Sequence, residues 1–281
     1  MVLRPFVESY SLREDRLGAT ELYNPLPARP DCFLQFYLAD RYRVVTVGSG
    51  EVHRAPQSVL VGPHARRRED LIWTGHLRMF TVRFTSVGFR SIFGLPATSI
   101  RDVADGAEVV LGGAVRVLED QLHQAGVGEL PVIAEQFLMK RLAERKEGSV
   151  GLAAGAMVRA IRSQNGAVSV SRMAAGQGLS ERQAERVFLE HVGLSPKLFG
   201  RLTRMNEALK LRASDEALSW ADIAASAGYF DQSHMVRDFR DLNGATPAQF
   251  AELGLRARRY RFAADGDVGF VLCGKPAAHA G

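Results

Sequence analysis

The sequence has little cysteine: two residues in 281, Cys32 and Cys273, which lie near opposite ends of the chain. A small extracellular domain stabilised by several disulfide bonds needs more cysteines than this. A cysteine-rich metal site needs them closer together. The scarcity of cysteine disfavours both and indicates a reducing compartment.

Long hydrophobic runs are also missing. No stretch approaches the roughly 20 apolar residues of a membrane helix, and the opening MVLRPFVESYSLRED lacks the apolar core of a signal peptide. A hydrophobic content of 46% and a charged content of 24% fit a soluble globular protein. We therefore expect a cytoplasmic protein without a membrane partner.

Residues arranged for metal binding or catalysis are scarce. His53, His64 and His76 form no H-x-H pair and have no carboxylate at a companion spacing, so we expect no metal and no cofactor. Ser233 and His234 stand in an Asp-Gln-Ser-His run, but neighbours on a helix point about 100° apart. A nucleophile beside an oriented base is therefore not indicated, and we expect no enzymatic activity.

Neither half of the chain is dominated by charge of one sign. The formal net charge of +5 divides into +1 for residues 1–150 and +4 for 151–281, and both halves are rich in carboxylates. This charge permits an anionic partner but provides no polybasic tail. Binding to nucleic acid would depend on where individual cations are placed.

The N-terminal half combines strands and helices. Residues 31–84 contain short β-branched or aromatic segments separated by Gly, Pro and polar residues, namely CFLQFYLA, YRVVTVGSG, SVLVGPH and LRMFTVRF. Residues 108–126 and 130–146 show apolar residues at helical spacing, with Val110, Ala114, Val117, Leu118 and Leu122 on one predicted face. The fold class predicted for the chain is α+β.

The C-terminal half contains two helix-turn-helix patterns. In the first, a short helix near 169–176 is followed by a glycine turn and a second helix, which begins at a capping box of Ser180 and Gln183. In the second, Ser219 starts one helix and Asp231 caps the next. Such a pair lets the second helix enter the major groove of DNA. Two in order are a stronger signal than one.

The segment LSPKLFGRLTRMNEALKLR separates the two patterns. Ser195 is a predicted N-cap and Pro196 the first helical residue. A helix of roughly 16 residues would be about 25 Å long. This rigid connection would hold two recognition helices in successive major grooves, about 34 Å apart.

Residues 152–255 resemble the DNA-binding domain of the AraC/XylS transcriptional regulators. The resemblance is carried by GLSERQAERVFLEHVGLSPKLFGRLTRMNEAL and by AGYFDQSHMVRDFRDLNGATPAQF. It implies a double helix-turn-helix fold and binding to double-stranded promoter DNA. Residues 31–105 loosely resemble the β-rich, cupin-like sensing domains of such regulators, which implies a small-molecule effector or a homodimer.

The candidate DNA contacts are residues that point away from the predicted apolar faces, and all but one of them are polar. Arginine can read guanine, glutamine can read adenine and glutamate can accept from cytosine. The base-contact candidates are Arg182, Glu185 and Arg186 in the first unit and Gln232, Ser233, Val236 and Arg237 in the second. The phosphate-contact candidates are Lys197, Arg201 and Arg204. The alternative for these charges is a solvated helix face with internal ion pairs.

Several residues admit two interpretations from the sequence. His234 either contacts DNA or packs against Tyr229. Trp73 and Arg83 are candidates for a ligand pocket, although alternating aromatics also build cores. A ligand-binding or enzymatic N-terminal domain with a helical module that does not bind DNA is the main rival. A DNA-repair methyltransferase would need a reactive cysteine, for which neither cysteine has the sequence context.

These patterns predict three segments. Residues 1–147 form a sensor or dimerisation domain, 148–255 the double helix-turn-helix domain, and 256–281 a basic C-terminal tail. The effector, the operator sequence and the direction of regulation are not encoded in any pattern that we recognise.

Overall fold

The computed structural model describes residues 3–145, 150–253 and 267–270. Its strands are β1 (Val7–Pro25), β2 (Cys32–Tyr37), β3 (Arg43–Thr46), β4 (Val52–Arg54), β5 (Ser58–Val61), β6 (Glu69–Phe84), β7 (Ala104–Gly106) and β8 (Asp267–Phe270). Its helices are α1 (Gly88–Phe93), α2 (Ala107–Leu111), α3 (Ala114–Gln124), α4 (Leu130–Ala143), α5 (Val150–Ser163), α6 (Val170–Ala175), α7 (Glu181–Val192), α8 (Pro196–Ser214), α9 (Trp220–Ser226) and α10 (Gln232–Asn243). Residues 247–253 form a closing helix. No helix in these ranges is long and apolar enough to cross a membrane.

The strands form one antiparallel sheet around β6. Along one edge, β6 pairs with β1 over almost its whole length, from Val7 opposite Phe84 to Pro25 opposite Asp70. Its other edge pairs with β2 through residues 79–84 and with β3 through residues 69–72. The strand order β4-β3-β6-β2-β5-β7 follows from these pairings, and the sheet curls about β6. The α+β class predicted from the sequence is confirmed.

Strand β1 lies outside the segment in which the sequence indicated strands. It buries Val7, Tyr10 and Leu12 and has polar residues between them, namely Glu8, Ser9 and Ser11. Its register with β6 shifts between Arg16 and Gly18 and again between Gly18 and Leu22. These irregularities break the alternation of period two by which a half-buried strand is detected.

Glycine divides the first predicted helix of the N-terminal half. Gly112 has φ of +80° and separates α2 from α3. The buried face of α3 is therefore Val115, Leu118 and Leu122, while Val117, expected on the apolar face, is 60% exposed. The prediction of one continuous face through Val117 was wrong because the chain turns at Gly112.

Two hydrophobic clusters lie on either side of the sheet and a third fills the helical half. The helical cluster surrounds Phe188, Phe199, Met205 and Phe239, all fully buried. It also includes Ala28, from the loop between β1 and β2, and Ala65, from the loop before β6. The N-terminal half therefore contributes directly to the core of the helical half.

Polar contacts between the halves meet at the C-terminal end of α10. The amide of Arg67 donates to the carbonyl of Leu242 at 2.8 Å, and the amide of Ala28 donates to Asn243 Oδ1 at 2.9 Å. Arg66 forms an ion pair with Asp241 at 3.0 Å. These contacts fix the end of α10 against the sheet.

A second set of contacts fixes α7. Arg90 of α1 forms an ion pair with Glu190 of α7. A Cβ atom on Gly193, which follows α7 at φ of +79°, would lie 2.7 Å from the carbonyl oxygen of Ala97. The N-terminal half thus holds both helix-turn-helix units.

The predicted boundary at 147/148 lies outside the described residues, as does the start of the predicted tail at 256. Residues 267–270 of that tail pair antiparallel with β1, from Tyr10 opposite Phe270 to Arg13 opposite Asp267. The sequence predicts an extension without regular structure there. The four residues instead add a strand to the sheet.

Candidate nucleic-acid interface

The first helix-turn-helix unit comprises α6, a glycine turn and α7. The amide of Leu179 closes the turn by donating to the carbonyl of Ala174 at 2.9 Å, and Gly178 takes φ of +65°. The amide of Gln183 donates to Ser180 Oγ at 3.3 Å, and the amide of Ser180 donates to Gln183 Oε1 at 2.9 Å. The capping box predicted from the sequence is confirmed.

Helix α7 separates its apolar and charged residues as the sequence predicted. Ala184, Val187 and Phe188 are buried in the helical core. Arg182, Glu185 and Arg186 are exposed on the opposite side. His191 is buried near the end of α7, where its Nδ1 donates to the carbonyl of Val187 at 2.9 Å. Burial lowers the pKa of His191 and favours its neutral form.

In the part of the chain that the structure describes, the arginines of α7 have no carboxylate partner. Across residues 3–145, 150–253 and 267–270, neither Arg182 nor Arg186 forms an ion pair. The alternative of a charged face satisfied by ion pairs within the helix is therefore absent from the structure. Both guanidinium groups are available to an external anion.

The second unit comprises α9, a turn at Gly228 and α10. The amide of Tyr229 donates to the carbonyl of Ala224 at 2.9 Å, and Gly228 takes φ of +83°. Asp231 Oδ1 accepts from the amide of His234 at 2.6 Å. Asp231 is thus the N-cap of α10, as the sequence predicted.

Helix α10 repeats the arrangement of α7. Its buried face contains Met235, Phe239 and Leu242, and Asn243 is buried before the left-handed Gly244. The remaining candidates lie outside this face, with Gln232, Ser233 and Arg237 exposed and Val236 half-buried. Arg237 forms no ion pair with any residue in the described ranges.

The two interpretations of His234 are separated by its neighbour. Its ring packs edge-on against that of Tyr229, with 5.4 Å between centroids. Tyr229 is itself 5% exposed, and the guanidinium of Arg204 lies 5.3 Å from its ring centroid. His234 therefore takes the packing position that the sequence left open.

Helix α8 connects the units and contains the phosphate-contact candidates. Its 19 residues correspond to about 28 Å, slightly longer than expected. Ser195 Oγ accepts from the amide of Leu198, and Pro196 is the first helical residue. Lys197 is exposed in the first turn and forms no ion pair within the described chain.

Arg201 and Arg204 are engaged inside the domain. Arg201 Nε donates to Asp238 Oδ1 at 2.9 Å, and its Nη2 donates to Asp241 at 2.7 Å. Arg204 Nη1 donates to the carbonyl of Gly166 at 2.9 Å. Both guanidinium groups join α8 to neighbouring segments, whereas the arginines of α7 form no ion pair with any described residue.

The two ligand candidates of the N-terminal half have different surroundings. Trp73 is 4% exposed and packs in the core beside the sheet, with the guanidinium of Arg13 at 4.6 Å from its ring centroid. Arg83 forms ion pairs with Asp31 at 2.7 Å and with Glu8 at 3.3 Å. The structure therefore makes Trp73 a core residue and places only Arg83 at a cleft.

That cleft, of about 520 Å³, lies between the sheet and the helical half. Arg83, Asp31 and Glu8 line it from the strand side. Its other side is formed by the end of α5 and by α8, including Arg162, Asn206 and Lys210. A molecule bound there would contact both halves of the chain.

The three histidines have separate environments. His53 is exposed on β4, and His76 Nε2 lies 2.8 Å from Glu14 on the neighbouring strand β1. His64 is buried, its Nδ1 donates to the carbonyl of Gly62, and burial lowers its pKa to about 4. Among the described residues, no group of three or more His, Cys, Asp or Glu is arranged to hold a metal ion.

Cys32 is buried in the sheet, and burial raises the pKa of its thiol. A neutral, inaccessible thiol is a poor nucleophile, which disfavours the repair-methyltransferase alternative for this cysteine. Cys273 lies outside the described residues.

Comparison with known proteins agrees with this geometry. Residues 173–252 match a family described as a helix-turn-helix domain, and this range contains both units and the connecting α8. The C-terminal domain is an AraC-type helix-turn-helix domain. This match supports DNA binding and transcription regulation as the role of residues 173–252.

Solved structures give weaker likenesses. ToxT from Vibrio cholerae O395 has a TM-score of 0.48 at 10% identity, with 87% of this chain and 98% of that chain covered. A DNA-binding transcriptional dual regulator from Escherichia coli K-12 has a TM-score of 0.32 at 22% identity, covering 38% and 93%. The C-terminal domain of AraT, a response regulator from Geobacillus stearothermophilus, has a TM-score of 0.33 at 22% identity, covering 38% and 87%.

No curated protein sequence matched the chain. Since the three TM-scores lie below 0.5, the functional conclusion rests on the family match and on the geometry of the two units.

Sequence reasoning missed the contacts between the halves and a buried ion pair within the helical half. Asn243, at the end of α10, accepts a hydrogen bond from the amide of Ala28, 215 positions earlier in the chain. Asp238 was not singled out, although it is the buried partner of Arg201. The one available signal was the unusual placement of a carboxylate on the buried side of an amphipathic helix.

Proposed function

We propose that the chain regulates transcription by placing α7 and α10 in two successive major grooves of promoter DNA. The proposal rests on one observation. The arginines exposed on the two recognition helices have no ion-pair partner among the described residues, whereas the arginines of the connecting helix are bonded within the domain. The base contacts in this proposal are Arg182, Glu185 and Arg186 from α7 and Gln232, Ser233, Val236 and Arg237 from α10.

Lys197 is the phosphate contact that we retain. It is exposed at the start of α8 and free of intramolecular ion pairs in the described chain. We leave Arg201 and Arg204 out of the proposed DNA surface because their guanidinium groups already have partners. Detaching either would break contacts that position α8 and would carry an energetic cost.

Alanine substitution of one arginine on each recognition helix tests the proposal. Arg186→Ala and Arg237→Ala should each weaken binding to the preferred sequence by about 5- to 150-fold, the loss expected for a bidentate arginine–guanine contact. Fluorescence anisotropy measures the affinity, and thermal denaturation should show unchanged folding because both residues are exposed.

Arg16→Ala is the matched control. Arg16 is an exposed arginine on β1 that forms no ion pair in the described chain, so its removal makes the same change in net charge. Its loss should not alter sequence preference. Retention of full specificity in both recognition-helix variants would refute the proposal and favour a helical module that does not bind DNA.

The N-terminal half, residues 1–147, is proposed to control the helix-turn-helix domain of residues 148–255. The cleft beside Arg83 supports this role because its walls come from both halves. A small molecule bound there would change how α8 is seated against the sheet. Arg83→Ala should therefore alter the response of DNA affinity to an effector while leaving affinity without effector unchanged.

A homodimer is the second route of control that we propose. Val117 on α3 and Val132 on α4 are 60% and 52% exposed, and a second copy of the chain would cover them. Sedimentation of the purified protein and of a Val117→Glu/Val132→Glu variant tests this. A dimer that persists in the variant would exclude these helices as the contact.

A further inference from the structure

The most exposed large apolar residue among the described ranges is Phe230, which is 92% exposed. It lies directly before Asp231, the N-cap of α10, and Gln232 and Ser233 follow as the first two residues of the helix. Single apolar residues at surfaces are common, but they are seldom whole phenylalanine rings. What holds this ring in solvent therefore needs a physical account.

The backbone on both sides of Phe230 is fixed. The amide of Tyr229 is bonded to Ala224 at the end of α9, and Asp231 caps α10 through the amide of His234. Tyr229 is buried, and Phe230 takes the outward direction. The exposure of the ring follows from an ordered turn.

A common role for an apolar residue at this position is missing. The residue before an N-cap often packs against the fourth residue of the helix, here Met235. Met235 is fully buried while Phe230 is almost fully exposed, so the ring does not perform this packing. The folded protein gains little from a phenylalanine here.

In the first unit, the residue at the equivalent position packs against the core. Leu179 precedes the N-cap Ser180 of α7 as Phe230 precedes Asp231 of α10. Leu179 is half-buried and packs against the helical core. The two units therefore differ at one equivalent position, and only the second presents an aromatic ring outward.

The N-terminal turn of a recognition helix is the part that meets base edges in the major groove. The 5-methyl group of thymine is the one apolar feature displayed there, and phenylalanine is among the side chains that contact it. Resting on the DNA-binding role proposed above, we propose that Phe230 reads a thymine by packing its ring against the 5-methyl group. It would add an apolar specificity contact to the polar ones of α10.

Deoxyuridine substitution tests this contact, since it removes the 5-methyl group and keeps base pairing. Each thymine in the half-element read by α10 is replaced in turn, and affinity is measured by anisotropy. The full-length wild-type protein should lose about 3- to 10-fold at one thymine, as expected for burying one methyl group. Phe230→Ala should weaken binding to unmodified DNA by a similar factor.

The decisive result is the combination of the two changes. On DNA with deoxyuridine at the sensitive position, Phe230→Ala should lose no further affinity, because the partner of the ring is already gone. Val109→Ala, which trims a residue that is 77% exposed on α2, should bind both DNAs as the wild type does. Thermal denaturation of Phe230→Ala should match the wild type.

Three results would overturn the inference: unchanged binding by Phe230→Ala, additive losses from the variant and deoxyuridine, or a lowered melting temperature that accounts for the loss. An unchanged affinity for DNA with weakened transcription activation would assign the ring to a protein partner instead. If Arg237→Ala loses specificity while Phe230→Ala does not, only this inference fails. If the wild type enriches no sequence, the DNA-binding proposal fails as well.

Discussion

Arginines of the C-terminal half fall into two groups that differ in what each guanidinium contacts. Arg186 and Arg237 lie on recognition helices without ion pairs in the described chain, whereas Arg201 is bonded to Asp238 and Asp241. From the sequence all three are basic residues on amphipathic helices. Arg201 and Asp238 are 37 positions apart, so no local pattern could reveal their pairing.

Replacing Arg201 should reduce stability. Asp238 is 5% exposed, and Arg201→Ala would leave its carboxylate buried with Arg204 as the nearest cation at 3.8 Å. Breaking a buried pair costs about 3–5 kcal/mol, and we expect the lower end because water reaches Arg201. Urea denaturation measures the free energy of unfolding.

Two further variants separate a structural role from a phosphate contact. Asp238→Asn in the Arg201→Ala background should recover part of the loss, because it removes the uncompensated charge. Lys197→Ala should change stability by less than about 0.5 kcal/mol. If Arg201→Ala instead retained stability and lowered the salt slope of DNA binding by about 1, Arg201 would be a phosphate contact after all.

At the scale of elements, caps and turns were the features most readable from the sequence. The capping box at Ser180 and the N-cap at Asp231 both lie where local sequence chemistry predicted them. Such signals depend on neighbours within four residues. Strand β1 was missed because its register shifts interrupt the alternation on which strand detection depends.

The turns of the two units should respond differently to alanine. A Cβ on Gly178 would meet open space, so Gly178→Ala should cost about 1 kcal/mol for the left-handed backbone alone. A Cβ on Gly228 would lie 2.8 Å from the carbonyl oxygen of Asn165, which adds a clash with backbone. We expect Gly228→Ala to cost about 3 kcal/mol in urea denaturation. Equal losses would show that the second turn is not packed against Asn165.

At the scale of the whole molecule, the halves share a core and hydrogen bonds. Ala28 and Ala65 belong to the helical cluster, and the end of α10 is bonded to the loop that carries Arg67. The sequence suggested a boundary near 147 because the residue pattern changes there. Such local patterns carry no information on contacts between distant segments. The contacts that hold both recognition helices against the N-terminal half could only be seen in the structure.

Shared packing predicts that both halves unfold in one transition. The two tryptophans report on them separately, since Trp73 lies in the sheet core and Trp220 on α9. In Trp220→Phe the fluorescence reports on Trp73, and in Trp73→Phe it reports on Trp220. In each variant, the melting midpoint measured by fluorescence should equal the midpoint measured by circular dichroism. A fluorescence midpoint well separated from the dichroism midpoint in either variant would show that the halves unfold independently.

Reading of DNA by two units is the central claim, and selection of genomic fragments on the purified full-length protein tests it most directly. The best fragment is then titrated by anisotropy across a range of salt concentrations. We predict one enriched motif with two half-elements about one helical turn apart, and an affinity that falls steeply as salt rises. Equal affinity for the selected fragment and a scrambled one would contradict the claim.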